Sequence, residues 1–332
     1  MTNSVTRRSV LGGALALAAL GGGTAVASRS PRVLIATNEP WGTYHVKPLL
    51  TEAARRGWRL TQLVPDLSQI TPGDPVPVAT PETAPRADLL VVTGAGDWPA
   101  DCARRFRWAP RVASSLAYQQ PVEAPRAKEL HPWAITSSSA AEARAFRSYL
   151  GLSRWRRIQV VGSPQTDDLP KRAPETDLVL VLTSVTHPDG TGSAAPGTEL
   201  LLASAEKLAA SGKRILVGLH PREDRSLWER YEISDVASVR AAARAEAAIG
   251  IPGTVFPLVA AVGTPVVGVT DPALSVPDYL LSICSSTISD AGQAVEAVGS
   301  AHLPDADTLA DAVGPVGGSA RRLLDTWSWF AR

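Results

Sequence analysis

Short apolar runs alternate with longer amphipathic ones along this chain, and a glycine or proline closes nearly every run. Residues 33–36, 59–64 and 88–92 read as strands. A helix over 48–56 stops at Gly57, and a proline-rich loop covers 65–85. Strands over 111–113, 133–136 and 157–161 follow, with Ser137, Ser138 and Ser139 as candidate caps for a helix ending at Tyr149. A second block repeats the scheme: a strand over 177–183, a helix over 198–210, and a strand over 214–219 that runs into His220-Pro221. A short element over 242–249, a turn over 250–254, a helix over 255–262 and a strand over 265–269 complete it, and the tail over 307–330 is helical in spacing. Strand–helix alternation of this kind makes parallel sheets covered by helices. Two such blocks in 332 residues imply two α/β domains, each able to bury a core. The boundary falls between residues 162 and 177, where Pro164, Pro170 and Pro174 punctuate a polar stretch.

The first thirty residues belong to neither block. Thr6-Arg7-Arg8-Ser9-Val10-Leu11 opens an uncharged stretch to Ser28, and Ala25-Val26-Ala27 supplies the small residues that a signal peptidase reads. A charged head, an apolar middle and that exit predict a bacterial export signal over 1–27, and the paired arginines place it in the twin-arginine type. An uncleaved anchor is the competing reading; five glycines between Gly12 and Gly23 make a poor permanent span. The expected location is the cell envelope or outside the cell, with membrane association only transient and through the signal. The formal charge of +1 includes Arg7 and Arg8 and no acid before Ser28, so the rest of the chain carries −1. Such a balance argues against a nucleic-acid partner, which needs a basic stripe. Cys102 and Cys284 lie far apart with no metal-ligand spacing, and whether they pair is open at this stage. The nine tryptophans are scattered, and core packing is their default role.

Several motifs resemble one family. Gly42-Thr43-Tyr44-His45-Val46-Lys47-Pro48, followed by Arg56-Gly57-Trp58-Arg59, is similar to the opening of GT-B glycosyltransferases, although Thr43 and Tyr44 separate the glycine from the histidine. Gly162-Ser163-Pro164-Gln165-Thr166-Asp167 resembles the Gly-x-Pro-x-x-Asp run of CDP-glycerol glycerophosphotransferases, and His220-Pro221 after a strand is similar to the same enzymes. Gly253-Thr254 through Gly263-Thr264-Pro265-Val266-Val267 looks like the GT-B donor-site helix and its exit. The resemblance implies two Rossmann-like parallel-sheet domains facing across a cleft. The expected division is an acceptor-side domain over 31–165, a linker over 166–176, and a donor-side domain over 177–332 that includes the C-terminal helices.

Elementary chemistry assigns roles within that frame. Ligands of open parallel sheets bind beyond the carboxyl ends of the strands. On that side His45 is the candidate general base, taking a proton from an acceptor hydroxyl near neutral pH. Gly253 and Thr254, at a helix start, are the candidate phosphate cradle, with His220 and Arg222 adding hydrogen-bonding or cationic contacts. Glu39, Gly94, Gly96 and Asp97 are further cleft candidates. The loop over 187–192 reads as an excursion over the cleft. No metal or cofactor is called for, since helix termini and arginine can neutralise a leaving phosphate.

Two features cut against an ordinary nucleotide-sugar enzyme. Many of those enzymes carry a glutamate near the start of the donor-site helix that holds the ribose hydroxyls, and here Leu258 or a neighbour takes that place. Export is the second, because activated nucleotides are cytoplasmic. The leading expectation is therefore an exported glycosyl- or glycerophosphotransferase-type protein acting on a phosphorylated or lipid-linked envelope glycan donor. Its rivals are a non-catalytic exported glycan-binding or scaffold protein, and a cytoplasmic nucleotide-sugar transferase whose signal is unused. Two α/β lobes also describe solute-binding proteins.

Overall fold

The first sheet is built from β1 (Arg32–Thr37), β2 (Arg59–Leu63), β3 (Val78–Ala79), β4 (Leu89–Thr93), β5 (Arg111–Ser114), β6 (Ala134–Ser137) and β7 (Gln159–Val160). Its order is β3-β2-β1-β4-β5-β6-β7, and every pair is parallel. The second sheet comprises β8 (Leu178–Leu182), β9 (Arg214–Gly218), β10 (Glu232–Ile233), β11 (Ala247–Gly250), β12 (Val266–Val269) and β13 (Ser286–Ile288). Its order, β10-β9-β8-β11-β12-β13, is likewise all parallel. Both sheets are doubly wound, so each reverses direction at one point, β1/β4 in the first and β8/β11 in the second. This computed structural model describes residues 30–94, 96–118, 130–149, 151–186, 194–220 and 223–331. The export signal over 1–27, the 187–192 loop and Arg222 lie outside the described residues. Residues Pro31–Arg332 form one unit, distinct from Met1–Ser30.

Central strands follow the apolar runs because both their faces are covered. Every residue of β4 and of β8 is buried. The element expected over 242–249 divides in two, a helix Ser238–Ala242 and strand β11. Within the proline-rich loop, β3 adds a two-residue edge to β2. Among the described residues both cysteines are free thiols, and burial pushes each up to about 12.

The tail packs against both lobes. It forms two helices, Ala306–Val313 and Ser319–Ser328, and the second crosses back to the first lobe. Ala320, Leu323, Leu324 and Trp327 pack with Val33, Ile35, Leu89 and Val112 in the core of the first lobe. Trp327 Nε1 donates to Ser114 Oγ at 2.9 Å. The crossing is tied down by the very run that resembled the glycerophosphotransferases. Asp167 caps the returning helix, its two oxygens accepting from Ser319 N at 2.7 Å and Ala320 N at 2.8 Å. Gly162 holds φ of 84°, and a side chain there would collide with Pro315 O and Ser319 Oγ. A further buried cluster joins the lobes, uniting Tyr118 and Ala141 with Leu258, Tyr279, Ile283 and Val313. At its centre Tyr118 OH donates to Val313 O at 2.6 Å.

Candidate functional site

The carboxyl ends of both switch points open into one cleft of about 420 Å3. Thr37, Asn38, Glu39, His45, Thr93 and Tyr118 line it from the first lobe. Thr183, Ser184, His220, Gly253 and Thr254 line it from the second. His45 and His220, placed by sequence on facing lobes, therefore share one wall-to-wall space.

The first-lobe wall is shaped by a tight descent from β1. Glu39 O accepts from Thr37 Oγ1 at 2.6 Å and from Gly42 N at 2.8 Å, which folds the chain back on itself. Instead of entering the expected helix at once, the backbone makes two 3-10 turns, Thr43–His45 and Lys47–Leu49, before a helix over Leu50–Arg55. This places Tyr44 and His45 beside Glu39. The Glu39 carboxylate accepts from the Tyr44 hydroxyl, and its Oε2 stands 4.0 Å from His45 Nε2. The Tyr44 ring tilts over the imidazole with centroids 4.2 Å apart. The His45 side chain is only 15% exposed. Burial pushes its pKa below the ordinary 6.5, and the Glu39 charge opposes that shift. The imidazole is thus neutral at pH 7 and able to accept a proton, with a carboxylate near enough to stabilise the imidazolium that forms.

The second-lobe wall is set by backbone and hydroxyl contacts. His220 N donates to Thr183 Oγ1 at 2.8 Å, which ties the end of β9 to the end of β8. Glu223, buried, accepts from Thr186 N at 2.7 Å and Thr186 Oγ1 at 2.6 Å, while its own N–H donates to His220 O at 2.9 Å. The turn over 250–254 and the helix after it differ from expectation. The helix begins at Phe256 and runs only to Val262. Phe256 N is already used by Gly253 O at 3.0 Å, and Pro257 has no N–H. Among the described residues no backbone carbonyl takes the Thr254 and Val255 amides, which lie in the turn rather than the helix and can meet an anion.

Gly94, Gly96 and Asp97 are not among the cleft-lining residues. Gly94, at φ of 80°, leaves room for the Asn38 side chain, whose Oδ1 accepts from Gly96 N at 3.0 Å. Asp97 sits in the first turn of the helix Asp97–Arg105. Gly94 and Gly96 shape the seat of Asn38, and neither they nor Asp97 line the cleft. Leu258 is 4% exposed and packs in the cluster between the lobes, away from the cleft lining. Among the described residues no group of three or more His, Cys, Asp and Glu could hold a metal ion. Sequence reading passed over Asn38, Tyr44, Thr183 and Glu223. The first three were detectable as polar residues next to a strand end or a candidate histidine; Glu223 carried no such signal.

No protein-family model matches the chain, and no curated protein matches its sequence. Solved structures do. The UDP-GlcNAc 2-epimerase from Methanocaldococcus jannaschii, in complex with UDP-GlcNAc and UDP, superposes at a TM-score of 0.59 with 12% identity, covering 90% of this chain and 99% of that one. MnaA of S. aureus with UDP superposes at 0.60, again at 12% identity, over 90% and 96% of the two chains. The wall teichoic acid polymerase TagF matches at 0.56 and 12% identity, over 91% and 89%. The chain has a GT-B-like fold. At such low identity the likeness is one of architecture, and it covers about nine-tenths of this chain.

Proposed function

We propose that this protein is an exported, envelope-directed transferase that holds a phosphorylated or lipid-linked glycan or polyol donor between its lobes. One observation carries the reading: a neutral imidazole with a carboxylate and a phenol beside it faces a wall of hydroxyls, backbone amides and a second imidazole across a single cleft. His45 takes the proton of an acceptor hydroxyl as that oxygen bonds to the donor centre. The leaving phosphate departs with the bonding electrons toward His220 and the Gly253-Thr254 turn. Solved structures of this architecture include proteins bound to UDP and to UDP-GlcNAc, which supports a small phosphorylated ligand here. Export rests on Arg7-Arg8 and Ala25-Val26-Ala27. It is tested by fusing the first thirty residues to a folded reporter and asking whether transport needs both arginines.

The central test uses purified protein with CDP-glycerol and UDP-GlcNAc as probe donors. His45→Ala is expected to bind a probe as wild type does while lowering transfer by about 10²–10⁴-fold, the usual contribution of a positioned base. A His45→Ala protein that transfers as fast as wild type removes the proposed base.

Leu258 favours a second reading, a GT-B-like binding protein without turnover. Its apolar side chain offers no acceptor to ribose hydroxyls, and it is spent on packing between the lobes. Calorimetry with glycans and nucleotide donors, set beside a turnover assay, separates the two: a binding protein takes up envelope glycans and converts no donor.

A further inference from the structure

The tryptophans divide in a way their scatter along the chain conceals. Trp228 and Trp327 are fully buried in the two cores. Trp108, Trp133, Trp155 and Trp329 are instead 51%, 62%, 80% and 71% exposed. Leaving indole rings in water forgoes the large gain from burying them, so four exposed together need a reason.

They share one end of one sheet. Trp108 lies in the turn leading into β5, Trp133 immediately precedes β6, and Trp155 is on the approach to β7. These three strands are neighbours and parallel, so the three approaches lie side by side at their amino ends. The cleft is at the carboxyl ends, on the far side of the lobe. The returning helix delivers the fourth ring: Phe330, next to Trp329, meets Trp133 edge-on with centroids 6.2 Å apart. Arg156 locks the loops together, its Nη2 donating to Trp133 O at 3.0 Å and to Pro132 O.

Charge completes the pattern. Residues 107–111, 131–133, 153–157 and 327–331 contain five arginines, namely Arg107, Arg111, Arg154, Arg156 and Arg157, and not one aspartate or glutamate, while the adjoining Arg104 and Arg105 are paired with Asp101 at 2.7 Å and Glu82 at 3.0 Å. The Arg154 guanidinium stacks over the exposed Trp155 ring at 4.5 Å. Arg107 and Arg157 are exposed, and neither is paired with a carboxylate among the described residues. The nearby Asp325 is neutralised by Arg56 at 2.8 Å. The chain excluding the first 27 residues carries −1 overall, so this basic end is balanced by acid elsewhere on the molecule. The described fold also begins here: Pro31 adjoins the amino end of β1, and the uncharged stretch from Ser9 to Ser28 precedes it in sequence.

We infer that this tryptophan–arginine face is a docking surface for an anionic lipid bilayer. Indole rings partition to the headgroup level of membranes, where the ring is apolar and the N–H stays hydrated. Guanidinium groups pair with lipid phosphates, and each cation near an anionic leaflet adds about a factor of five in binding. Among the described residues no helix is long and apolar enough to cross a membrane, and the association inferred for this face is a peripheral one. Docked in this way, the lobe points its cleft away from the lipid. This inference stands apart from the proposed chemistry and survives its failure.

The experiment uses the chain from Ser28 onward, because both sheets and all the buried clusters described lie within Pro31–Arg332. Partition is measured into phosphatidylcholine vesicles with and without phosphatidylglycerol, and repeated with brominated phosphatidylglycerol to quench inserted rings. The expected result is binding that requires phosphatidylglycerol, together with quenching of tryptophan fluorescence. Trp133→Ser/Trp155→Ser/Trp329→Ser and, separately, Arg154→Glu/Arg157→Glu should each weaken partition by about ten-fold or more, with melting temperature unchanged. Absence of vesicle binding overturns the inference, as does binding that neither variant weakens. Two other results also overturn it: self-association abolished by the tryptophan changes in a protein that ignores vesicles, and capture of soluble polyphosphate without capture of lipid.

Discussion

The two lobes share a winding order and differ in almost everything else that bears on function. The second lobe is contiguous in sequence: its two cores draw only on residues from Leu178 to Ala301. The first lobe borrows five buried residues from the last stretch of the chain, Ala320 to Ala331. Chemistry divides along the same line. The first lobe contributes a carboxylate, a phenol and an imidazole from one short descent after β1. The second contributes hydroxyls, turn amides and His220, held by backbone contacts. A winding order therefore fixes where a ligand sits, and the loops decide what meets it.

The sharpest way to break this comparison is to remove the borrowed core. Trp327→Ala deletes a fully buried ring and strands Ser114 Oγ, with an expected loss of about 3–5 kcal/mol. Trp228→Ala, in the second lobe, should cost a similar amount. The two differ in where protection is lost. Hydrogen exchange should accelerate first in β1, β4 and β5 for Trp327→Ala, and first in β8 and β9 for Trp228→Ala. Equal acceleration in both sheets for either variant would mean that the lobes unfold as one body, joined through the Tyr118 cluster.

A smaller effect is expected at the crossing itself. Asp167→Ala leaves two amides of the returning helix without their acceptor, and loss of an N-cap costs about 1 kcal/mol. Urea denaturation should show this as a lower midpoint at unchanged slope. Asp168 is the control: it is 86% exposed and paired with Arg240 at 2.6 Å, and such pairs contribute little.

That contrast shows what was legible in the sequence. The strands of both sheets could be read because a buried parallel strand is an unbroken apolar run, as in Leu178–Leu182. Edge strands β3, β10 and β13 could not, because no unbroken apolar run surrounds their two or three residues. The tail was recognisable as helix from its spacing, yet spacing is silent on which lobe a helix serves; that depends on Asp167 and Gly162, more than 150 positions away. His45 and His220 were visible as polar residues at strand ends. Tyr44 was detectable beside His45, but its part was not, since a phenol there matters only once the turn brings both against Glu39.

The chemical half of the comparison is sharpened by pH. Below the ordinary imidazole value of 6.5 an unfolded His45 takes up a proton that the buried native ring resists. Stability should therefore be full above pH 6.5 and decline as pH falls below it, a slope that His45→Gln flattens. Glu39→Gln removes the charge that raises the imidazole, so the His45 pKa moves further down. The acid limb of any activity profile then shifts to lower pH, while Tyr44→Phe, which keeps the carboxylate, leaves the histidine under its influence. A limb that stays in place in Glu39→Gln means that another group titrates.

The smallest expected change in stability tests the second lobe most directly. A Cβ added at Gly253 would meet only Ile251 O, at 3.7 Å, which is ordinary contact, and no positive φ makes the site strained for alanine. Gly253→Ala should accordingly leave the melting temperature within error or raise it slightly, since alanine restricts the unfolded chain. The same methyl faces a different test if a phosphate comes close to the turn, because it enters the space through which the anion would approach the Thr254 and Val255 amides. Calorimetry with UDP and CDP-glycerol should then show weakened binding in a protein that is as stable as wild type. Unchanged affinity would move the phosphate away from the turn and leave His220, tied to Thr183, as the better candidate for its partner on that wall.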